Sequence, residues 1–143
     1  MIKNYLSDEI CVCIANYDFS ENASKLKNQF CQFFKTVLID SSSPIPPMEV
    51  DITIPNLYYS GLWNASVEYA ISSGYKYLMF VASDLEIENI KKLCEYAVEA
   101  ISYKKIGVYS ASVKSSSRCA FHLLFNRTSS CIRECGIHEG FFF

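Results

Sequence analysis

Three short runs of apolar, β-forming residues, 10–14, 36–39 and 75–81, each give way at their carboxyl end to polar side chains, and helically spaced segments alternate with them. The first run, Ile10-Cys-Val-Cys-Ile14, is continuous rather than alternating. A strand of that kind is buried on both faces, as strands of parallel sheets are. Leu26, Phe30, Phe33 and Phe34 then recur at helical spacing, and Ser20 is placed to cap a helix that begins near Glu21. Thr36-Val-Leu-Ile39 reads as a second buried strand ending at Asp40, and the proline-rich stretch 41–47 as a loop. Val50–Ile54 has the character of a short edge strand closed by Pro55. In the segment 58–73, Leu62, Ala65, Tyr69 and Ala70 share one helical face, and Gly74 is the expected stop. The third strand, 75–81, leads through Ala82-Ser-Asp84 into the amphipathic pattern Ile87, Ile90, Leu93, Cys94, Ala97, Val98 and Ile101. Further strands are expected at Lys105–Tyr109 and Ala120–Phe125. Strands alternating with helices imply βαβ units and an α/β fold with a mainly parallel sheet. No repeat or linker interrupts the pattern, so the 143 residues read as one domain.

Composition narrows the function. Half the residues are hydrophobic and 20% are charged, which excludes a disordered chain. The net charge of -2 carries no clustered basic footprint, so nucleic acid is not an expected partner. No apolar run approaches the ~20 residues of a membrane span, and 1–9 lacks the apolar core of a secretory signal. The seven cysteines form no pair of CxxC units, so buried reduced thiols and a cytoplasmic location are expected rather than a zinc site. Asn22, Asn64 and Asn126 head Asn-x-Ser/Thr triplets, read as chance matches in such a compartment.

In parallel α/β sheets, ligands bind beyond the carboxyl ends of the strands, near a reversal in strand order. That rule selects Asn16–Asp18, Asp40–Ser43 and Ser83-Asp84, and predicts that they share one edge of the sheet. A carboxylate at Asp40 can accept hydrogen bonds from a ribose hydroxyl or a base N–H, or can instead close a turn on its own backbone. Asp84 can hold a divalent cation together with phosphate oxygens, or can instead cap the helix that follows. Asn64, in Gly61-Leu-Trp-Asn64, can support a loop at that edge or lie on the surface. His122 reads as a packed strand residue, and His138 with Glu139 as a solvated pair. No GxGxxG, Walker A or GxSxG motif occurs, which disfavours dinucleotide, P-loop and α/β-hydrolase chemistry. The loop after the first strand has neither glycine nor lysine, which ranks a nucleotidyltransferase last.

Taken in order, Asn16-Tyr-Asp18, Asp40-Ser-Ser-Ser43, Asn64, Phe80-Val-Ala-Ser-Asp84-Leu-Glu-Ile87 and Cys135-Gly-Ile-His-Glu139-Gly-Phe-Phe142 resemble the motif series of GT-A-fold glycosyltransferases of family 2. The resemblance spans nearly the whole chain. It implies a GT-A, Rossmann-like sheet flanked by helices on both faces, and transfer of a sugar with inversion from a nucleotide-diphosphate sugar to a hydroxyl of a saccharide or glycoconjugate acceptor. It assigns Asn16, Tyr17, Asp40, Ser42, Asn64 and Ser83 to the nucleotide-sugar. It makes Asp84 the metal ligand for Mn²⁺ or Mg²⁺, and Glu139 the catalytic base. Ala82 stands where the family often has Asp or Asn, leaving half of a DxD motif, and His138 stands where it often has Asp. The chain also stops where such enzymes supply acceptor-side sequence, so a part lacking that portion is expected. The alternative is a non-catalytic nucleotide-binding module on the same fold, and the Phe141–Phe143 tail would suit pairing with a second copy.

Overall fold

A computed structural model describes residues 5–102. The expected strands at 105–109 and 120–125, and His122, His138, Glu139, Cys131, Cys135 and Phe141–Phe143, lie outside them. The chain divides into two compact units, Met1–Cys94 and Glu95–Phe143, and the sheet with its first two helices belongs to the first.

After a 3-10 turn at Tyr5–Glu9, the elements run β1 (Ile10–Asn16), α1 (Ser20–Phe30), β2 (Lys35–Asp40), β3 (Ile52–Thr53), α2 (Tyr58–Ser72), β4 (Tyr77–Ala82) and α3 (Ile90–Ile101). The sheet order is β3-β2-β1-β4, and every pairing is parallel. The fold is therefore the expected α/β class, a small Rossmann-like parallel sheet. β1 is its centre and all seven of its residues are buried, which explains the unbroken apolar run. Cys11, Cys13 and Ala15 form one face of β1 and join Val37, Ile39, Leu62 and Ala70 in a core under α2. The intervening Ile10, Val12 and Ile14 are buried on the opposite face, the side left to α1 with its buried Ala23, Leu26 and Phe30.

The order contains one reversal. From β1 the chain steps outward to β2 and β3, then returns through α2 to pair β4 against the other side of β1. The C-terminal ends of β1 and β4 thus flank the switch point where such sheets hold ligands.

Local chemistry accounts for most boundaries. Gly74 takes φ 77°. Its N–H donates to Ile71 O at 3.1 Å while the Tyr75 N–H donates to Ala70 O at 2.9 Å, the paired bonds of a glycine-terminated helix. α3 begins at Ile90, three residues later than the apolar pattern suggests, because Asn89 Oδ1 accepts the Lys92 N–H at 2.9 Å and fixes the first turn. Ser20 does not cap α1. Phe19 occupies that position without a side-chain bond, and the Ser20 hydroxyl instead donates to the Ile45 carbonyl in the β2–β3 loop. β3 keeps only two residues of the expected strand. Asp51 accounts for this: its Oδ2 accepts the Leu38 N–H at 2.7 Å and pairs with Lys27 Nζ at 2.9 Å, so a side chain supplies the contact a longer ladder would have made.

Candidate functional site

The carboxyl edge is built around a buried polar network. Asn16 and Asp40 end β1 and β2 in register with each other, and both side chains are buried. Asn16 Nδ2 donates to Asp40 Oδ1 at 2.8 Å and to Ser43 Oγ at 3.2 Å. Ser43 turns back on the same carboxylate, with its N–H on Oδ2 at 2.9 Å and its hydroxyl on Oδ1 at 2.6 Å. Its Oγ also accepts the Asp18 N–H at 2.8 Å, while Asn16 Oδ1 accepts the Phe19 N–H at 3.3 Å. The loops after β1 and β2 are thus tied together through three side chains. A carboxylate that is 1% exposed and accepts three short bonds is held in place by its own chain.

Above that network the loops are strained. The three non-glycine residues with positive φ among the described residues are Asp18 at 64°, Ser42 at 54° and Tyr58 at 57°. Asp18 and Ser42 fall in the exits of β1 and β2, and Tyr58 opens α2. Left-handed backbone is costly for a residue with a Cβ, and such outliers cluster where a surface must be pre-formed. Tyr58 gains no packing in return, being 80% exposed. A Cβ at residue 61 would stand 2.4 Å from Leu57 Cβ, far inside van der Waals contact, so only glycine lets the first turn of α2 close over Leu57.

β4 reaches the same edge. Its last pairing is Ala15 with Ala82, and the Ser83 N–H continues the ladder to Ala15 O at 2.9 Å. Asp84 follows in a turn, exposed to solvent. It does not cap α3, since Asn89 does. The first turn of α1 reaches across to this segment: Asn22 Nδ2 donates to Ser83 O at 2.6 Å and to Leu85 O at 2.9 Å. From the other face, Tyr59 and Trp63 of α2 meet Phe80 of β4 edge-on, with ring centroids 5.3 Å and 4.9 Å apart. Burial, with the nearby Asp84 charge second, pushes the Tyr59 phenol above its ordinary value and keeps it protonated.

No protein-family model, curated protein or solved structure matches the chain. The geometry of the edge is therefore what bears on function.

The three sequence-selected groups do meet at one edge. Within them, the predicted contacts differ in accessibility. Tyr17, Ser42 and Asp84 are exposed, whereas Asn16, Asp40 and Ser83 are buried. Ser42 donates to Ile54 O at 2.7 Å and stands outside the network, so the serine that joins the loops is Ser43. Asn64 lies exposed in α2, a turn and a half past its start. Glu139 lies outside the described residues. Sequence reasoning missed Asn22 and Tyr59. Asn22 had only its Asn-Ala-Ser triplet to draw notice, and that signal pointed elsewhere: its amide is consumed by two carbonyls and Ala23 is buried in α1.

The described residues contain no cluster of three or more His, Cys, Asp or Glu able to hold a metal ion. Asp84 offers one exposed carboxylate, and Ala82 offers nothing. That donor set fits a hard cation of the magnesium type only when a bound diphosphate supplies further oxygens. A cleft of about 470 Å³ lies at the opposite edge, lined by residues that precede or begin β1 and β2 and by one that precedes β4, among them Asp8, Cys31, Lys35 and Tyr75. It gathers no comparable hydrogen-bonded network, and ligands of such sheets bind at the other end. No helix among the described residues is long and apolar enough to cross a membrane.

Proposed function

We propose that the chain binds a nucleotide-diphosphate sugar at the carboxyl edge of its sheet and serves in glycosyl transfer of the GT-A, family 2 type. The observation that carries this reading is the convergence of the β1, β2 and β4 exits at the switch point, with Asp84 exposed beside a rigid, strained pair of loops. In it, Tyr17 and the exposed backbone of the β1 and β2 loops border the nucleotide, and Ser42 lies at its ribose side. Asn16 and Asp40 act from beneath by fixing those loops, and Ser83 holds the segment that presents Asp84. Mn²⁺ or Mg²⁺ shared between Asp84 and the diphosphate would neutralise the leaving group. Glu139 is the residue assigned to deprotonate the acceptor hydroxyl of a saccharide or glycoconjugate. A cytoplasmic location suits the four described cysteines, all of which are free thiols.

A second reading, a nucleotide-binding module without transfer activity, is favoured by Ala82 and by the internal saturation of Asp40. Both leave fewer groups for a donor.

A thermal-shift panel of UDP, GDP, dTDP and CDP, each with and without Mn²⁺, tests the donor site on the full chain and on Asp84→Asn. A ligand at ~100 times its dissociation constant stabilises by ~2.7 kcal/mol. The expected result is a metal-dependent shift with one nucleotide that Asp84→Asn abolishes. No shift with any nucleotide, or one indifferent to metal and to Asp84, would defeat the reading. Donor hydrolysis or sugar transfer by the purified chain would remove the second.

A further inference from the structure

Asp84 is exposed, so packing does not orient its side chain, and the direction of its Cα–Cβ bond is set by the backbone that carries it. That backbone is fixed from outside its own strand. Asn22, in the first turn of α1, directs its side-chain amide at Ser83 O at 2.6 Å and Leu85 O at 2.9 Å. An amide nitrogen has two N–H donors, and two carbonyls are in reach. The carbonyls belong to the residues on either side of Asp84. With the Ser83 N–H on Ala15 O at 2.9 Å and the Leu85 N–H on Ala82 O at 3.3 Å, four bonds hold a turn of four residues. Two of the four come from the single Asn22 side chain. Asn22 is half-buried, so water competes poorly for the carbonyls it holds.

We infer that Asn22 is a positioning residue for Asp84, clamping the carbonyls that flank it so that the carboxylate is presented at the β1–β4 switch point in one orientation. The inference builds on the donor-site reading for its consequence in binding, and on the two hydrogen bonds for the clamp. Asn22→Asp keeps the shape but replaces a two-fold donor with an acceptor facing two carbonyl oxygens. Asn22→Ala simply removes the donor, and serves if Asn22→Asp does not fold. Groups that orient a metal-binding side chain from behind typically matter by about 10–100-fold in metal affinity.

The test has two readouts on the full chain. The first is ligand-free amide hydrogen exchange across 82–88 in wild type, Asn22→Ala and Asn22→Asp. Faster exchange confined to that segment, with β1 unchanged, is expected. The second is Mn²⁺-dependent affinity for UDP, GDP, dTDP and CDP in wild type, Asn22→Asp, Asp84→Asn and the double variant. A loss of about tenfold or more is expected on substituting Asn22 alone, with no further loss when Asp84 is already Asn. Unchanged exchange at 82–88 overturns the clamp. An equal loss in the Asp84→Asn background overturns its action through Asp84. If wild type binds none of the four nucleotides, the donor-site reading fails by itself, and the exchange measurement still decides the role of Asn22.

Discussion

Ser43 joins the two loops of the carboxyl edge through one hydroxyl. It donates to Asp40 Oδ1, accepts from Asn16 Nδ2 and accepts the Asp18 N–H. Alanine there would strand two donors and uncover part of a buried carboxylate. Leaving buried polar groups unpaired costs about 1–3 kcal/mol, and urea unfolding of Ser43→Ala should show a loss of that order, whereas Ser42→Ala, at an exposed position, should change little. Equal effects at the two serines would show that the network does not hold the loops. The sequence made Asp40 and its serines conspicuous. It could not say that Ser43 faces inward and Ser42 outward, because that depends on the left-handed turn at Ser42, which nothing in Ser-Ser-Ser-Pro specifies residue by residue.

At the scale of elements, the first turn of α2 depends on a glycine in a helix interior, where glycine is ordinarily unfavourable. Gly61→Ala would drive a Cβ into Leu57 Cβ, close to the backbone where little can yield. Overpacking of this kind costs about 1–3 kcal/mol. The urea midpoint should fall accordingly, while Ser60→Ala, on the exposed side of the same turn, should be nearly neutral. If Gly61→Ala stabilises as an ordinary helix substitution would, the close approach to Leu57 is wrong. The elements themselves were largely legible: β1, β2, α1, α2 and β4 lie close to where apolar runs and helical spacing put them. The departures occur where a side chain replaced backbone. Asp51 substitutes for ladder at β3, Asn89 resets the start of α3, and Ser20 spends its hydroxyl on a distant carbonyl rather than on its own helix. Each depends on a partner remote in sequence or on loop geometry, which local patterning does not encode.

For the whole molecule, the central strand sets how stability responds to pH. The Cys13 thiol is pushed far above its ordinary value by its hydrogen bond with Cys11, by burial and by the repulsion that a Cys11 thiolate would exert. In the unfolded chain the same thiol ionises near pH ~8.5. A value raised on folding means the contribution is complete below that pH and is lost as pH rises past it. The protonated Tyr59 phenol adds a smaller loss in the same direction at higher pH. The Cys11 thiol, lowered by its hydrogen bond with Cys13, offsets part of this loss, and because both thiols are buried the net expectation for the pair is a urea midpoint that declines above pH ~8.5, with a shallower decline in Cys13→Ala. An identical profile in Cys13→Ala would show that the core thiol is not responsible. Cys11 and Cys13 stand two residues apart in β1 and so share a face of the strand, and the structure puts both in the core under α2.

The parallel sheet makes a larger claim about the molecule: its ligand belongs at the carboxyl edge and not in the cleft at the amino edge. Mn²⁺ broadens amide signals close to where it binds, so adding trace Mn²⁺ with UDP, GDP, dTDP or CDP in turn to ¹⁵N-labelled full chain places the site directly. Broadening centred on Asp84, with Tyr17, Asp18, Ser42 and Ser43 affected next and Cys31–Thr36 untouched, is the result predicted. Broadening centred on Cys31–Thr36 and Tyr75, or none beyond that of Mn²⁺ without nucleotide, would contradict it.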